Sequence, residues 1–144
     1  METRKEKAVE IFKSGFNCSQ GVFTAFAADF GLDEKTALML GTPFGGGVGG
    51  RGETCGAVSG AYMVIGLRHG RSELNDSGAK EKVYSLMEEF RGRFSERFGT
   101  LCCSELVGVD MSDHLMRTKA REDGKLERCK EFVGYAAEIL EDIL

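Results

Sequence analysis

The sequence predicts an all-α fold: a single-domain compact helical bundle of about six to seven helices with a glycine-rich loop. Apolar residues recur at three- and four-residue spacing in several segments, which is the period of a helix with one buried face. No stretch shows the sustained two-residue alternation of a half-buried strand. The chain has 144 residues, the size of one ordinary domain. We therefore expect residues 1–144 to share a single core.

Seven segments have a helical pattern, and a short turn of helix is predicted between the fifth and the sixth. In chain order the predicted helical segments, with the short turn at 103–107, are residues 2–13, 18–30, 33–41, 54–68, 75–98, 103–107, 112–122 and 125–143.

Capping residues and glycines set the limits of the first three helices. The first is amphipathic and closes at Gly15. Asn17 can cap the second, and Gly31 ends it. Asp33 can cap the short third helix, which ends at Gly41.

In the middle of the chain, a loop is followed by the two longest helices predicted up to that point. Residues 41–52 read GTPFGGGVGGRG, and so many glycines exclude a regular element. Thr54 can cap the next helix, which is apolar on most sides and therefore predicted to be buried. The helix over 75–98 carries a clear apolar stripe, with Asp76 as an N-cap candidate and Gly99 as its stop.

Charge and hydropathy exclude several function classes. There are 23 acidic and 19 basic residues, giving a net charge of −4, which argues against a general nucleic-acid binder and against binding to a membrane surface. The longest mostly apolar run, 57–67, is shorter than the roughly 20 residues of a spanning helix. The N-terminal residues alternate in charge and contain no apolar leader, so we expect a cytoplasmic protein. The apolar helices are also compatible with a homodimer.

The five cysteines indicate where chemistry is expected. They form no CxxC pair, match no zinc-finger spacing and are odd in number, which argues against a disulfide scaffold. Cys18, Cys55 and Cys103 lie near predicted helix starts, where the helix dipole lowers a thiol pKa. Cys129 lies on the core-facing stripe of the last helix, so the four thiols can meet at one site. The same cysteines also fit small buried packing residues.

Four sequence elements carry a family resemblance. They are NCSQ at 17–20, CGAVSG at 55–60 after the glycine-rich loop, CSELVG at 103–108, and Cys129 with its following residues. Over about residues 5–140 the chain resembles a family of redox-active proteins named for four spaced cysteines, the C_GCAxxG_C_C family. The resemblance implies that these four cysteines are functional and specifies no reaction. Cys102 departs from the pattern as an extra thiol beside the third position.

The glycines have two interpretations. Gly56 and Gly60 are four residues apart on one helix, so they allow close approach of either another helix or a ligand. In the loop, Gly46 and Gly47 can present backbone N–H groups to an anion with Arg51 as its charged partner. The alternative is a sharp connection between packed helices. Neither a P-loop nor a dinucleotide fingerprint is present.

These observations favour reversible thiol–disulfide chemistry by Cys18, Cys55, Cys103 and Cys129, with an oxidoreductase-like activity and an unidentified redox partner. In this hypothesis Cys55 is the attacking thiolate, Cys18 or Cys103 resolves the intermediate, and Cys129 is the inner partner. A second hypothesis is that the same four cysteines hold a metal ion or an iron–sulfur cluster, although no cofactor is certain. A third is a structural or interaction protein with inert buried thiols.

Overall fold

The structure, a computed structural model, describes all residues from Met1 to Leu144 and contains eight α-helices. They are α1 (Arg4–Lys13), α2 (Cys18–Ala27), α3 (Glu34–Gly41), α4 (Gly56–His69), α5 (Ser77–Phe98), α6 (Cys103–Val107), α7 (His114–Glu122) and α8 (Cys129–Ile143). Three 3-10 turns cover Ala28–Phe30, Thr42–Phe44 and Lys125–Arg128. The all-α prediction is confirmed, and the short turn predicted at 103–107 is the helix α6, which brings the seven predicted helices to eight. No helix has the length and apolar character needed to cross a membrane.

Polar side chains start five of the helices by accepting a hydrogen bond from a backbone N–H of the first turn. These N-cap residues are Thr3, Asn17, Asp33, Asp76 and Asp113. The caps predicted at Asn17, Asp33 and Asp76 are confirmed. Asn17 also forms a reciprocal capping box with Gln20, in which each backbone N–H donates to the other side chain at 2.9 Å.

The predicted cap of α4 is wrong. Thr54 lies one residue too early, because the N-cap position is occupied by Cys55, which makes no side-chain capping bond. Thr54 instead forms the isolated antiparallel bridge of the fold with Cys102. A backbone pairing between distant segments therefore replaces the expected local cap.

The main hydrophobic core contains 23 buried residues, and α2 lies at its centre. α2 packs against α1, α3, α4 and α8, and most of its residues are buried. The predicted burial of α4 is confirmed, since Ala57, Val58, Ala61, Val64 and Ile65 have no exposed surface. Phenylalanines from α5 and α8 close the other side of the core.

The contact between α2 and α4 depends on glycine. A Cβ placed on Gly60 would lie 2.9 Å from the carbonyl oxygen of Ser19 and 3.2 Å from its Cα. A Cβ on Gly56 would lie 3.1 Å from the Ser19 nitrogen and 3.2 Å from the Cβ of Cys18. Both glycines therefore contact another helix, which favours the helix-packing interpretation of the spaced glycines.

We expect Gly60→Ala to lower the free energy of unfolding by about 1–3 kcal/mol, because the new methyl group meets backbone that cannot move independently of α2. Gly66→Ala is the matched control on the same helix, since nothing lies within 4 Å of its Cβ position. It should raise stability by about 0.5–1 kcal/mol through helix propensity. Urea unfolding followed by circular dichroism measures both, and equal stability of the two variants would contradict the tight α2–α4 contact.

Candidate thiol site

All four cysteines of the sequence motifs line one cavity of about 490 Å³. They are Cys18, Cys55, Cys103 and Cys129, and all are free thiols. Cys102 does not line the cavity. A cavity of this size can enclose a small molecule.

Each of these cysteines stands at the start of a helix. Cys18, Cys103 and Cys129 are the first residues of α2, α6 and α8, and Cys55 is the N-cap residue of α4. Cys129 was expected inside the last helix, but the 3-10 turn Lys125–Arg128 delays the α-helix to that residue. The cavity is thus bordered by the amino-terminal ends of four helices, which carry partial positive charge.

Cys55 and Cys103 are positioned by pairing between two distant segments. The Cys55 N–H donates to the Leu101 carbonyl at 2.8 Å, and the Cys103 N–H donates to the Glu53 carbonyl at 2.6 Å. Side chains alternate in direction along extended backbone, so Cys55 and Cys103 lie on one side of the bridge. Cys102, which pairs with Thr54, points to the other side.

This alternation explains which of the two adjacent cysteines belongs to the site. The Cys102 thiol donates to the carbonyl of Gly52 at 3.2 Å. Cys103 is buried against the loop, where a Cβ on Gly47 would lie 2.7 Å from the Cys103 Cβ. The third motif position is therefore Cys103, and Cys102 is an additional thiol outside the cavity.

Cys18 and Cys129 interact as a pair. A hydrogen bond from the Cys18 thiol, aided by the positive charge of Arg128, lowers the pKa of Cys129 despite the opposing effect of burial. The same hydrogen bond, together with burial and the neighbouring cysteines, raises the pKa of Cys18 well above its ordinary value. The pair therefore favours a Cys129 thiolate accepting from a Cys18 thiol.

Burial has the opposite effect on the other two thiols. It raises the pKa of Cys55 to about 12 and the pKa of Cys103 to about 11. The expected lowering of the pKa at the starts of their helices is wrong for these two residues and for Cys18. At Cys55 the cost of placing a charge in an apolar environment exceeds the stabilisation by backbone N–H groups, and at Cys103 the same cost is the main cause. At Cys18 the hydrogen bond to Cys129 is the largest cause and burial the second.

The glycine-rich loop has an unusual left-handed backbone. Every residue from Gly46 to Gly50 has a φ between 62° and 76°, including Val48 at 66°. A β-branched residue in this region is strained, so the loop stores conformational energy at the cavity. These φ values explain why the loop is rich in glycine, since only glycine adopts them without a steric cost.

Two of the predicted anion-binding residues face the cavity and one does not. Gly46 and Gly47 line it, and their backbone N–H groups make no hydrogen bond within the chain. Arg51 is exposed and lies outside the cavity lining. Arg117, and not Arg51, is the arginine beside the loop in the cavity lining. Its Nη1 donates to the Gly50 carbonyl at 2.6 Å.

The cavity lining also carries more positive than negative side chains. Lys13, Arg117, Arg121 and Lys130 line it, opposed by the single carboxylate of Glu127. Sequence reasoning missed these cations, because they lie on α1, α7 and α8 and share no motif. A helical pattern alone shows that such residues are exposed and not that they surround one space.

The four cysteines do not form a preformed metal centre. No group of three or more His, Cys, Asp or Glu side chains is arranged to hold a metal ion. The hypothesis of a metal or cluster held by Cys18, Cys55, Cys103 and Cys129 therefore gains no support from their geometry.

The protein is thus an all-α bundle whose four motif cysteines line one cavity. Comparison with known families matches residues 16–143 to the family described as "Putative redox-active protein (C_GCAxxG_C_C)". The chain belongs to this family, as its motifs predict. No curated protein and no solved structure matches it.

We expect Cys129 to be alkylated at lower pH than any other cavity cysteine, because its pKa is lowered. Cys18→Ala removes the hydrogen-bond donor and should shift the Cys129 alkylation profile to higher pH. Cys102→Ala is the control and should leave the profile unchanged. Iodoacetamide labelling across pH, with peptide mass analysis, measures each thiol. If the pH dependence of Cys129 alkylation is the same in Cys18→Ala as in the wild type, the pairing is contradicted.

We also expect alkaline pH to destabilise the protein through Cys55. The pKa of Cys55 is about 12 in the folded protein and about 8.5 in the unfolded chain. Below about pH 8.5 the thiol is neutral in both states, so its burial costs no stability there. The unfolded state ionises first as pH rises, and the free energy of unfolding falls between these values by on the order of 5 kcal/mol. Under reducing conditions, the free energy of unfolding of Cys55→Ala, measured with urea, should fall less steeply with rising pH than that of the wild type. Cys102→Ala should retain the wild-type slope, and identical slopes for both variants would refute this account.

Proposed function

We propose that this protein carries out reversible thiol–disulfide exchange in its cavity, with Cys129 as the attacking thiolate and Cys18 as the resolving thiol. The observation that carries the proposal is that all four motif cysteines line one cavity. Membership of a family described as redox-active supports it. Enzymatic turnover with a redox partner is part of the proposal.

The choice of Cys129 rests on the balance of charge around each thiol. Cys129 is 9% exposed, lies beside Arg128 and accepts from Cys18, which favours its ionised form. Cys55 is only 3% exposed and its pKa is raised by burial, so its thiolate is scarce at neutral pH. The thiolate is the nucleophile in disulfide exchange. These facts support Cys129 over Cys55, the residue that the helix starts favoured.

The proposed reaction balances with an external disulfide as oxidant. The Cys129 thiolate attacks one sulfur of the disulfide, the S–S bond breaks, and the leaving thiolate takes up a proton. Cys18 then loses its proton and attacks the Cys129 sulfur, releasing the second thiol. Two protein thiols become one disulfide, and the external disulfide gains two electrons and two protons. The reverse reaction uses two external thiols.

Cys55 and Cys103 form a second dithiol in this proposal. They share one side of the segment pairing, and their raised pKa values keep them protonated. Exchange with a Cys18–Cys129 disulfide requires one of them to ionise, so we propose it as a slower internal step that conserves electrons within the protein.

The test is an anaerobic redox titration in which free thiols are alkylated at buffered potentials and counted by intact mass. We expect two thiols to disappear together at a midpoint of about −200 to −320 mV, with Cys18 and Cys129 joined in the peptide map. With 2-hydroxyethyl disulfide, Cys18→Ser should accumulate a mixed disulfide on Cys129, because the resolving thiol is absent. Cys129→Ser should form none.

Cys102→Ser is the matched control, and it should titrate as the wild type does because this thiol lies outside the cavity. Adduct formation by Cys129→Ser at the rate seen for Cys18→Ser would overturn the assignment. Thiols protected until a chelator is added would favour the metal or iron–sulfur alternative. Thiols protected until denaturant is added would favour inert packing residues.

A further inference from the structure

The cations of the cavity have no carboxylate partners. None of Lys13, Arg117, Arg121 and Lys130 forms a salt bridge, although Arg128 beside them pairs with Glu131 at 3.5 Å. Arg4 forms such an ion pair elsewhere on the surface, with Asp29 at 2.6 Å. No ion pair neutralises these four positive charges, and Glu127 is the single carboxylate in the cavity lining.

Arg117 is the cation whose position is most strongly fixed. It is half-buried, and its Nη1 donates to the carbonyl oxygens of Gly50 at 2.6 Å and Met111 at 3.4 Å. Its Nη2 lies 3.3 Å from Nδ1 of His114. A guanidinium has five N–H donors, so this anchoring leaves donors free for an anion.

The loop adds neutral donors on the same cavity. The N–H groups of Gly46 and Gly47 make no hydrogen bond within the chain, whereas those of the following residues, Val48 to Glu53, all do. Gly47 is buried and lies directly against Cys103. Adjacent free N–H groups on left-handed backbone bind carboxylate and similar oxygens.

The volume of the cavity and the burial of its thiols favour a small molecule as the substrate. The cavity holds about 490 Å³, and its thiols Cys55, Cys103 and Cys129 are each at most 9% exposed. A disulfide within a folded protein cannot reach sulfurs at this depth without bringing its backbone into the cavity. A small molecule can enter completely.

We propose that the substrate of the thiol site is a small anionic disulfide, whose carboxylate or similar acidic groups bind Arg117, Arg121, Lys130 and the free N–H groups of Gly46 and Gly47. This inference rests on the proposed thiol–disulfide exchange for its disulfide, while the anion site stands on the charges of the cavity. The positive lining concentrates the anion near Cys129, and the same charge favours the attacking thiolate.

Binding is tested separately from reaction with unreactive thioether analogues. Calorimetry on the reduced wild type compares 3,3′-thiodipropionate, which carries two carboxylates, with the neutral 2,2′-thiodiethanol. We expect the dicarboxylate to bind at least about tenfold more tightly, with the difference shrinking as salt is added. Since neither compound contains a disulfide, this result does not depend on exchange chemistry.

Variants locate the site. Arg121→Gln combined with Lys130→Gln should remove most of the preference, because both side chains line the cavity and are exposed enough to change without disturbing the core. Arg117→Gln should have a similar effect. Arg51→Gln is the control, since Arg51 carries the same charge on the loop but lies outside the lining. Far-ultraviolet circular dichroism verifies that each variant is folded.

Equal affinity for the two thioethers, or equal losses in Arg51→Gln and in the Arg121–Lys130 double variant, would overturn the inference while leaving the exchange reaction intact. A second readout compares rates of mixed-disulfide formation by Cys18→Ser with 3,3′-dithiodipropionate and 2-hydroxyethyl disulfide. A faster reaction of the anionic compound supports the inference. Tight thioether binding without any reaction would support the anion site and refute the proposed exchange.

Discussion

The close contact between α2 and α4 is the constraint on which the site depends. Gly56 and Gly60 let the backbones approach so closely that a methyl group at either position would meet Ser19 of α2. Because Cys18 begins α2 and Cys55 precedes α4, the same contact brings two thiols to one end of the helix pair. Helix packing and site assembly therefore have a common cause, and a change that separates the helices must also separate the thiols.

Burial and hydrogen bonding, and not helix polarity alone, set the direction of each thiol's pKa shift. All four cavity cysteines stand at helix starts, so the helix dipole alone cannot distinguish them. Desolvation raises the pKa values of both Cys55 and Cys103, and at Cys55 it exceeds the opposing effect of backbone N–H groups. Cys129 differs because Cys18 donates to it and Arg128 lies beside it. The pKa is thus lowered at one position among four chemically identical side chains.

The glycine-rich loop connects this chemistry to the charge of the cavity. Its left-handed backbone directs most N–H groups inward to the loop's own carbonyls and leaves those of Gly46 and Gly47 free. Val48 adopts this conformation at a steric cost, which the surrounding structure must offset. Arg117 holds the loop through the Gly50 carbonyl, so the cation that borders the cavity also fixes the donors beside it.

Local chemistry determined the all-α fold, since apolar spacing, caps such as Asn17 and Asp33, and terminating glycines act within a few residues of each other. The motif cysteines were likewise readable from the sequence. Only the tertiary structure decided that Thr54 pairs with Cys102 instead of capping α4, and that Arg117 rather than a loop arginine borders the cavity. These outcomes depend on contacts between residues far apart in the chain. The ionisation of each thiol depends on desolvation, which exists only once the helices have packed.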